Sequence, residues 1–77
     1  MDLNQVTVQS INIIESIEFY KGLGLILIVE DDERLANLTK DYLESNGLQV
    51  SIEGDGSRAI ERIKTEQPDL VVLPEIK

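Results

Sequence analysis

The sequence predicts an α/β fold built around a parallel β-sheet. Two runs of consecutive apolar residues, Leu25 to Val29 and Leu70 to Leu73, have the length of strands and the composition of strands that are covered on both faces. Between them, two segments with apolar residues at helical spacing flank a third, alternating segment. Strands and helices that alternate with short connections specify parallel βαβ units.

The composition narrows the classes of function. The 77 residues include no cysteine and no histidine, which argues against disulfides and against a structural zinc site. A net charge of −8 repels phosphate backbones and anionic lipid, so we expect no direct binding to nucleic acid or to a membrane surface. The N-terminus lacks the features of a secretory signal and no apolar run is long enough to span a bilayer, so we expect a cytoplasmic protein.

Residues 1–24 are predicted to form a separate N-terminal segment. Alternation around Val6 and Val8 indicates a short strand within residues 5–9. A helix over about residues 11–21 is predicted next, although Asn12 to Ile14 could instead extend the strand. The apolar side chains that this helix would pack into the core are Ile11, Ile14, Ile17 and Phe19.

A second helix is predicted directly after the first apolar strand. Asp32 stands at the N-cap position and Gly47 follows the last helical turn. The apolar stripe of this helix consists of Leu35, Leu38, Tyr42 and Leu43. Leu48 to Ile52 alternates strictly, which predicts a strand with one covered face at an edge of the sheet.

The last predicted helix follows a turn rich in glycine and polar residues. Either Asp55 or Ser57 can provide its N-cap, and Pro68 ends it because the residue before a proline avoids helical geometry. Its predicted buried stripe consists of Ala59, Ile60 and Ile63. Pro74 then stops the strand that begins at Leu70.

From Leu25 to Leu73 the chain resembles the receiver domain of bacterial two-component response regulators, of the type attached to winged-helix DNA-binding domains. The matching residues, in chain order, are Ile28 to Asp32 with Leu35, Tyr42 and Leu43 with Gly47 and Val50, Gly54 and Gly56 with Ala59, and Pro68 to Leu73. The resemblance implies that residues 25–77 are the first half of a flavodoxin-like domain, truncated after three strands in the order 2-1-3. It also implies a histidine kinase as partner.

Three acidic residues, Glu30, Asp31 and Asp32, follow the first apolar strand and repel one another unless a cation or a donor group lies among them. The resemblance places Mg²⁺ here, with Asp31 as a direct ligand, Glu30 acting through water and Asp32 left to cap the helix. The competing interpretation, which the sequence leaves open, is that these acids cap the helix and face water without a metal.

The phosphoacceptor aspartate of the family does not carry over. Its place, directly after Leu73, is occupied by Pro74, and Glu75 comes one position too late to point to the same face. No catalytic residue is therefore expected. We expect a receiver-like signalling module of phosphorelay origin that is not an enzyme and is not phosphorylated; the alternative is a non-catalytic half-domain, natural or engineered, whose property is folding by self-association.

A sheet that ends at Leu70 to Leu73 would leave an apolar strand as an open edge. One solution is that Val6 to Val8 pairs with this edge while the N-terminal helix covers one face of the sheet. The other is a homodimer, in which two chains pair edge to edge or exchange segments.

Overall fold

The computed structural model describes residues 6–9, 13 and 15–74. Within these residues the chain forms four strands and three helices in strict alternation. In chain order they are β1 (Val6–Gln9), α1 (Ile17–Tyr20), β2 (Leu25–Val29), α2 (Glu33–Ser45), β3 (Gln49–Glu53), α3 (Gly56–Glu66) and β4 (Leu70–Leu73). None of these helices has the length and apolar character needed to cross a lipid bilayer.

All the described strands lie in one parallel sheet, in the order β1-β4-β2-β3. The three strands β3, β2 and β4 reproduce the predicted order 2-1-3. The fourth, β1, pairs with the far side of β4, with Val6 opposite Leu70 and Gln9 opposite Leu73. The apolar strand β4 is thus hydrogen-bonded on both sides, and the predicted completion of the sheet by an N-terminal strand is confirmed.

The alternating segment lies at an edge of the sheet, as predicted. Among the described strands, β3 pairs only with β2, from Leu25 opposite Gln49 to Val29 opposite Glu53. It begins one residue later than the alternation indicates, and Leu48, before the strand, is buried under the helices.

One face of the sheet is covered by α1 and α2. Ile17 is buried against this face, as predicted, and Ile13, which was not among the predicted core positions, is buried there too. Ile13 and Glu15 are helical, and the other predicted apolar positions, Ile11 and Ile14, lie outside the described residues. Phe19 was expected in the core but is 86% exposed, because the short helix turns this side chain away from the sheet. The buried residues on this face are Ile13, Ile17, Ile26, Ile28, Leu43, Leu48, Leu70 and Val72.

The predicted stripe of α2 is only partly buried. Leu43 is fully buried, but Leu35, Leu38 and Tyr42 are 48%, 66% and 39% exposed. The helix faces the sheet through Ala36 and Leu43, which lie seven residues apart on one line of its surface. The expected stripe lies to one side of this line, where the described part of the chain leaves it open.

The opposite face of the sheet is covered by α3. Ala59 and Ile63, four residues apart, pack against Leu27, Val29 and Val71. The prediction that Ile60 is buried was wrong, since its side chain is 54% exposed. One helix resting on a strand surface buries a single line of residues, and Ile60 lies beside that line.

The predicted helix caps are confirmed. The Asp32 carboxylate accepts the backbone N–H groups of Arg34 and Leu35 at 3.0 and 3.3 Å. Of the two candidates for the last helix, Asp55 is the cap and accepts the Ser57 N–H at 2.9 Å.

The helix ends also follow the sequence. Gly47 adopts a left-handed φ of 87° just after α2. The helix α3 ends before Pro68, at Gln67, which adopts a left-handed φ of 49°.

Candidate functional site

The predicted site residues meet at the carboxyl edge of the sheet. Glu30 and Asp31 follow β2, and Pro74 follows the neighbouring strand β4. The pairing of Ile28 with Val72 places Glu30 and Pro74, each two residues further on, at the same level of adjacent strands. This edge is where open parallel sheets place their ligands, and the structure brings the acid pair and Pro74, the predicted acceptor position, together there.

Backbone N–H groups satisfy two of the three acids. A carboxylate oxygen of Glu30 accepts the N–H of Asp32 at 3.1 Å, and the Asp32 carboxylate caps α2. Asp31 is exposed and its side chain forms no hydrogen bond within the described residues. The first turn of a helix carries partial positive charge, so the acids lie beside a favourable potential even without a cation. Their crowding does not by itself require a metal.

The described residues do not form a complete metal site. They contain no group of three Asp, Glu, His or Cys side chains placed to hold a metal ion. The resemblance implies that a third carboxylate ligand would come from the acceptor aspartate, and the side chain of Pro74, at the predicted acceptor position, contains no oxygen. Glu30 and Asp31 as Mg²⁺ ligands therefore stay a prediction.

A second polar cluster, which the sequence reasoning missed, joins α3 to the edge strand β3. The Arg62 guanidinium donates to the Ile52 carbonyl at 2.9 Å, to Glu53 at 3.2 Å and to Glu66 at 2.5 Å, and it also contacts the Ser51 hydroxyl. The sequence displays only the local parts of this cluster, because Arg62 and Glu66 lie four residues apart and Ser51 and Glu53 share one face of the strand. It does not show that the two parts meet.

The electrostatics of this cluster keep its groups charged. The Asp55 backbone N–H, followed by the Arg62 hydrogen bond, holds the pKa of Glu53 below its usual range against the effect of burial. The hydrogen bond from Arg62 likewise lowers the pKa of Glu66, and the bond to Glu66 raises the pKa of Arg62.

The role of Arg62 follows from strand geometry. The Glu53 carbonyl points to β2, where it accepts the Glu30 N–H at 3.1 Å, so the Ile52 carbonyl points to the open edge. Arg62 thus satisfies an edge carbonyl that would otherwise be available to another strand, which is a structural role.

Comparison with known proteins locates the family resemblance. Residues 26–74 match the family described as the response regulator receiver domain. The chain is 42% identical over 48 residues to the alkaline phosphatase synthesis transcriptional regulatory protein PhoP of Bacillus subtilis, covering 62% of this chain and 20% of that protein.

Two further relatives give the same result. Identity is 41% over 51 residues with the transcriptional regulatory protein RstA of Escherichia coli, covering 66% of this chain and 21% of RstA. It is 40% over 48 residues with the DNA-binding response regulator MtrA of Mycolicibacterium smegmatis, covering 62% and 21%. The chain thus spans about a fifth of the length of the curated relatives it matches.

Proposed function

The chain belongs to the family of response regulator receiver domains, and on that premise we propose that it is a non-enzymatic signalling module of phosphorelay origin that does not accept a phosphoryl group. The observation that carries this proposal is Pro74. It occupies the position after β4 that corresponds to the acceptor of the family, at the same level of the sheet as Glu30.

Proline blocks the chemistry for a simple reason. Phosphoryl transfer to a receiver needs a carboxylate oxygen as nucleophile, and the side chain of Pro74 contains only carbon and hydrogen. The nearby acids are poor substitutes, because Glu30 and Asp32 already accept backbone N–H groups. Asp31 is exposed, and the described residues do not place three carboxylates where they could hold a cation beside it.

The direct test is incubation with acetyl phosphate and Mg²⁺, followed by intact-mass spectrometry. We expect no acid-stable or acid-labile phosphoryl adduct on the wild-type chain. A stoichiometric adduct mapped to the carboxyl edge of β2 or β4 would contradict the proposal. An authentic receiver domain treated in parallel shows that the phosphodonor is active.

For Mg²⁺ we propose weak association with Glu30 and Asp31, with water supplying the remaining ligands. Amide NMR should show shifts confined to residues near Asp31 that saturate only at millimolar Mg²⁺, and D31N should abolish them. The matched control E44Q removes an exposed carboxylate from the last turn of α2 and should leave the shifts unchanged. Shifts that persist in D31N would contradict the assignment.

The variant P74D tests the position itself. It adds the missing carboxylate opposite Glu30, so we expect Mg²⁺ affinity to rise about tenfold or more, because affinity grows with the number of charged ligands. Unchanged affinity in a folded P74D chain would mean that residue 74 does not face the acid pair.

The remaining partners follow from family and charge. A histidine kinase is the partner that the family implies, and we propose that it transfers no phosphoryl group to this chain. The relatives carry transcriptional and DNA-binding descriptions as whole proteins, whereas a net charge of −8 opposes direct DNA contact by this chain. We propose that it acts in the cytoplasm.

Self-association is a second candidate property, favoured by the exposed apolar side chains of α2.

A further inference from the structure

The geometry points to a homodimer in which the α2 helices of two copies pack antiparallel about a two-fold axis. The observation behind it is a row of exposed apolar side chains on a helix of 13 residues. The inference concerns α2 alone and does not depend on Pro74 or on phosphorylation.

The exposed row has the spacing of a helix–helix seam. Leu35, Leu38, Tyr42 and Ser45 follow one another at intervals of three, four and three residues, as the a and d positions of a heptad repeat do. The three large side chains are 48%, 66% and 39% exposed. Ala36 and Leu43 already hold the helix on its own sheet, so the seam is free to face a partner.

Charged residues beside the seam identify the partner as a second copy. Arg34 and Asp41 are exposed and lie seven residues apart, which places them on the same flank of the seam. In an antiparallel pair, the residues on one side of the seam face the residues on the same side of the seam in the other helix, and the two helices run in opposite directions. Arg34 of one copy then lies opposite Asp41 of the second, and the two-fold axis generates the same pair again.

The flanks also select the direction of packing. In a parallel pair the flank of Arg34 and Asp41 would face the other flank, where Thr39 and Asn46 stand and offer no charge. Only the antiparallel arrangement gives the charged side chains partners of opposite sign.

Two other routes to a dimer, through the edge of β4 and through the Ile52 carbonyl of β3, are blocked in the described part of the chain. The β4 edge is paired with β1, and Arg62 occupies the carbonyl of Ile52 on the open side of β3. A net charge of −8 on each copy opposes non-specific association, so a dimer needs a specific contact. A seam of this length buries much less surface than a standard interface of ~1,600 Å². We therefore expect a weak dimer with a dissociation constant on the order of 100 μM.

The first test is sedimentation equilibrium over a concentration series that reaches the millimolar range. We expect a reversible monomer–dimer equilibrium in the wild-type chain. L38E should leave a folded monomer, because Leu38 is 66% exposed and its replacement empties no core position. A wild-type chain that stays monomeric throughout, or an L38E chain that dimerises as well as wild type, would overturn the inference.

Charge exchange tests the direction and the pairing. R34D and D41R should each weaken the dimer about three- to tenfold, since like charges then oppose one another at two symmetric positions. The double variant R34D/D41R has the wild-type net charge and restores opposite signs, so it should recover wild-type affinity. Failure of the double variant to recover would exclude the antiparallel pairing.

A matched control separates pairing from overall charge. E44R changes the net charge by the same amount as D41R, on an exposed position of the same helix away from the seam. Because it reduces the repulsion between copies, it should leave the dimer unchanged or tighter, whereas D41R should weaken it. Equal effects of the two variants would show that only net charge matters and would overturn the proposed interface.

Discussion

The contact between Asp69 and Gly24 shows how one side chain sets the start of a strand. A single Asp69 carboxylate oxygen accepts the N–H groups of Gly24 and Leu25 at 2.7 and 3.2 Å. A Cβ atom on Gly24 would lie 2.4 Å from that oxygen, so any larger residue must displace the carboxylate. We expect G24A to lower the free energy of unfolding by about 1–2 kcal/mol, through the loss of these hydrogen bonds. Urea unfolding measures the change.

The control for this substitution is another glycine. Gly56 begins α3, and a Cβ there would meet no atom within 4 Å. G56A should stabilise the chain by about 0.4–1 kcal/mol, because alanine restricts the unfolded backbone and favours the helix. If both variants changed stability by the same amount, the specific role of the Gly24 position would be refuted.

At the scale of elements, Arg62 joins α3 to the edge strand β3. Its replacement, R62M, should lower the free energy of unfolding by about 1–2 kcal/mol at neutral pH, since Glu53 and Glu66 lose their partner. Both carboxyl groups have a native pKa below the ordinary value of 4.5. Their contribution is therefore complete above about pH 4.5 and is lost as the pH falls through the lowered native pKa values.

Urea unfolding of wild type and R62M across this acid range tests the linkage. The stability difference between the two chains should shrink as the pH falls below 4.5. The control K64M removes an exposed positive charge from the last turn of the same helix, and its smaller effect should change little over that range. A difference between wild type and R62M that is independent of pH would show that Arg62 acts through packing alone.

At the scale of the whole molecule, the pairing of β1 decides whether the apolar strand β4 has a hydrogen-bonded neighbour on both sides. It is the only described element that pairs with the outer side of β4. Successive residues of a strand direct their N–H groups to opposite sides, so one of Thr7 and Val8 donates toward β4 and the other toward the outer edge.

A pair of proline substitutions tests this arrangement. One of T7P and V8P should be strongly destabilising, by about 3 kcal/mol, and the other markedly less so, because proline is tolerated where the N–H faces the edge. Hydrogen exchange of the Val71 and Val72 amides reports the pairing. Two equally mild variants with unchanged exchange would show that β1 contributes little to the stability of the sheet.

Local sequence was sufficient for much of the fold and for part of the site. Continuous apolar runs predicted β2 and β4, alternation predicted β3 at an edge, and Asp32 predicted the start of α2. These features depend on periodicity and on capping between residues close in the chain, which a sequence displays directly. The family resemblance in turn placed the acid pair and Pro74 at the same edge, as the register has them.

Contacts between residues that are distant in the chain could not be predicted from the periodicity of the sequence. A helix with several apolar lines does not say which line faces the sheet, so Leu35, Leu38 and Ile60 were assigned to the core although they are exposed. The bridges from Arg62 to β3 and from Asp69 to Gly24 join side chains with backbone groups 10 to 45 residues away, and no local pattern predicts such pairs.

By itself, the sequence determined the alternation of strands and helices, the strand order of the family and the absence of a carboxylate at position 74. Only the tertiary structure decided how the open strand is covered and which helical faces remain exposed. The physical reason is that local propensities act between neighbours in the chain, whereas burial depends on which elements the fold brings together. The fold thus places the acid pair beside the N-terminus of α2 and leaves the apolar seam of the same helix exposed.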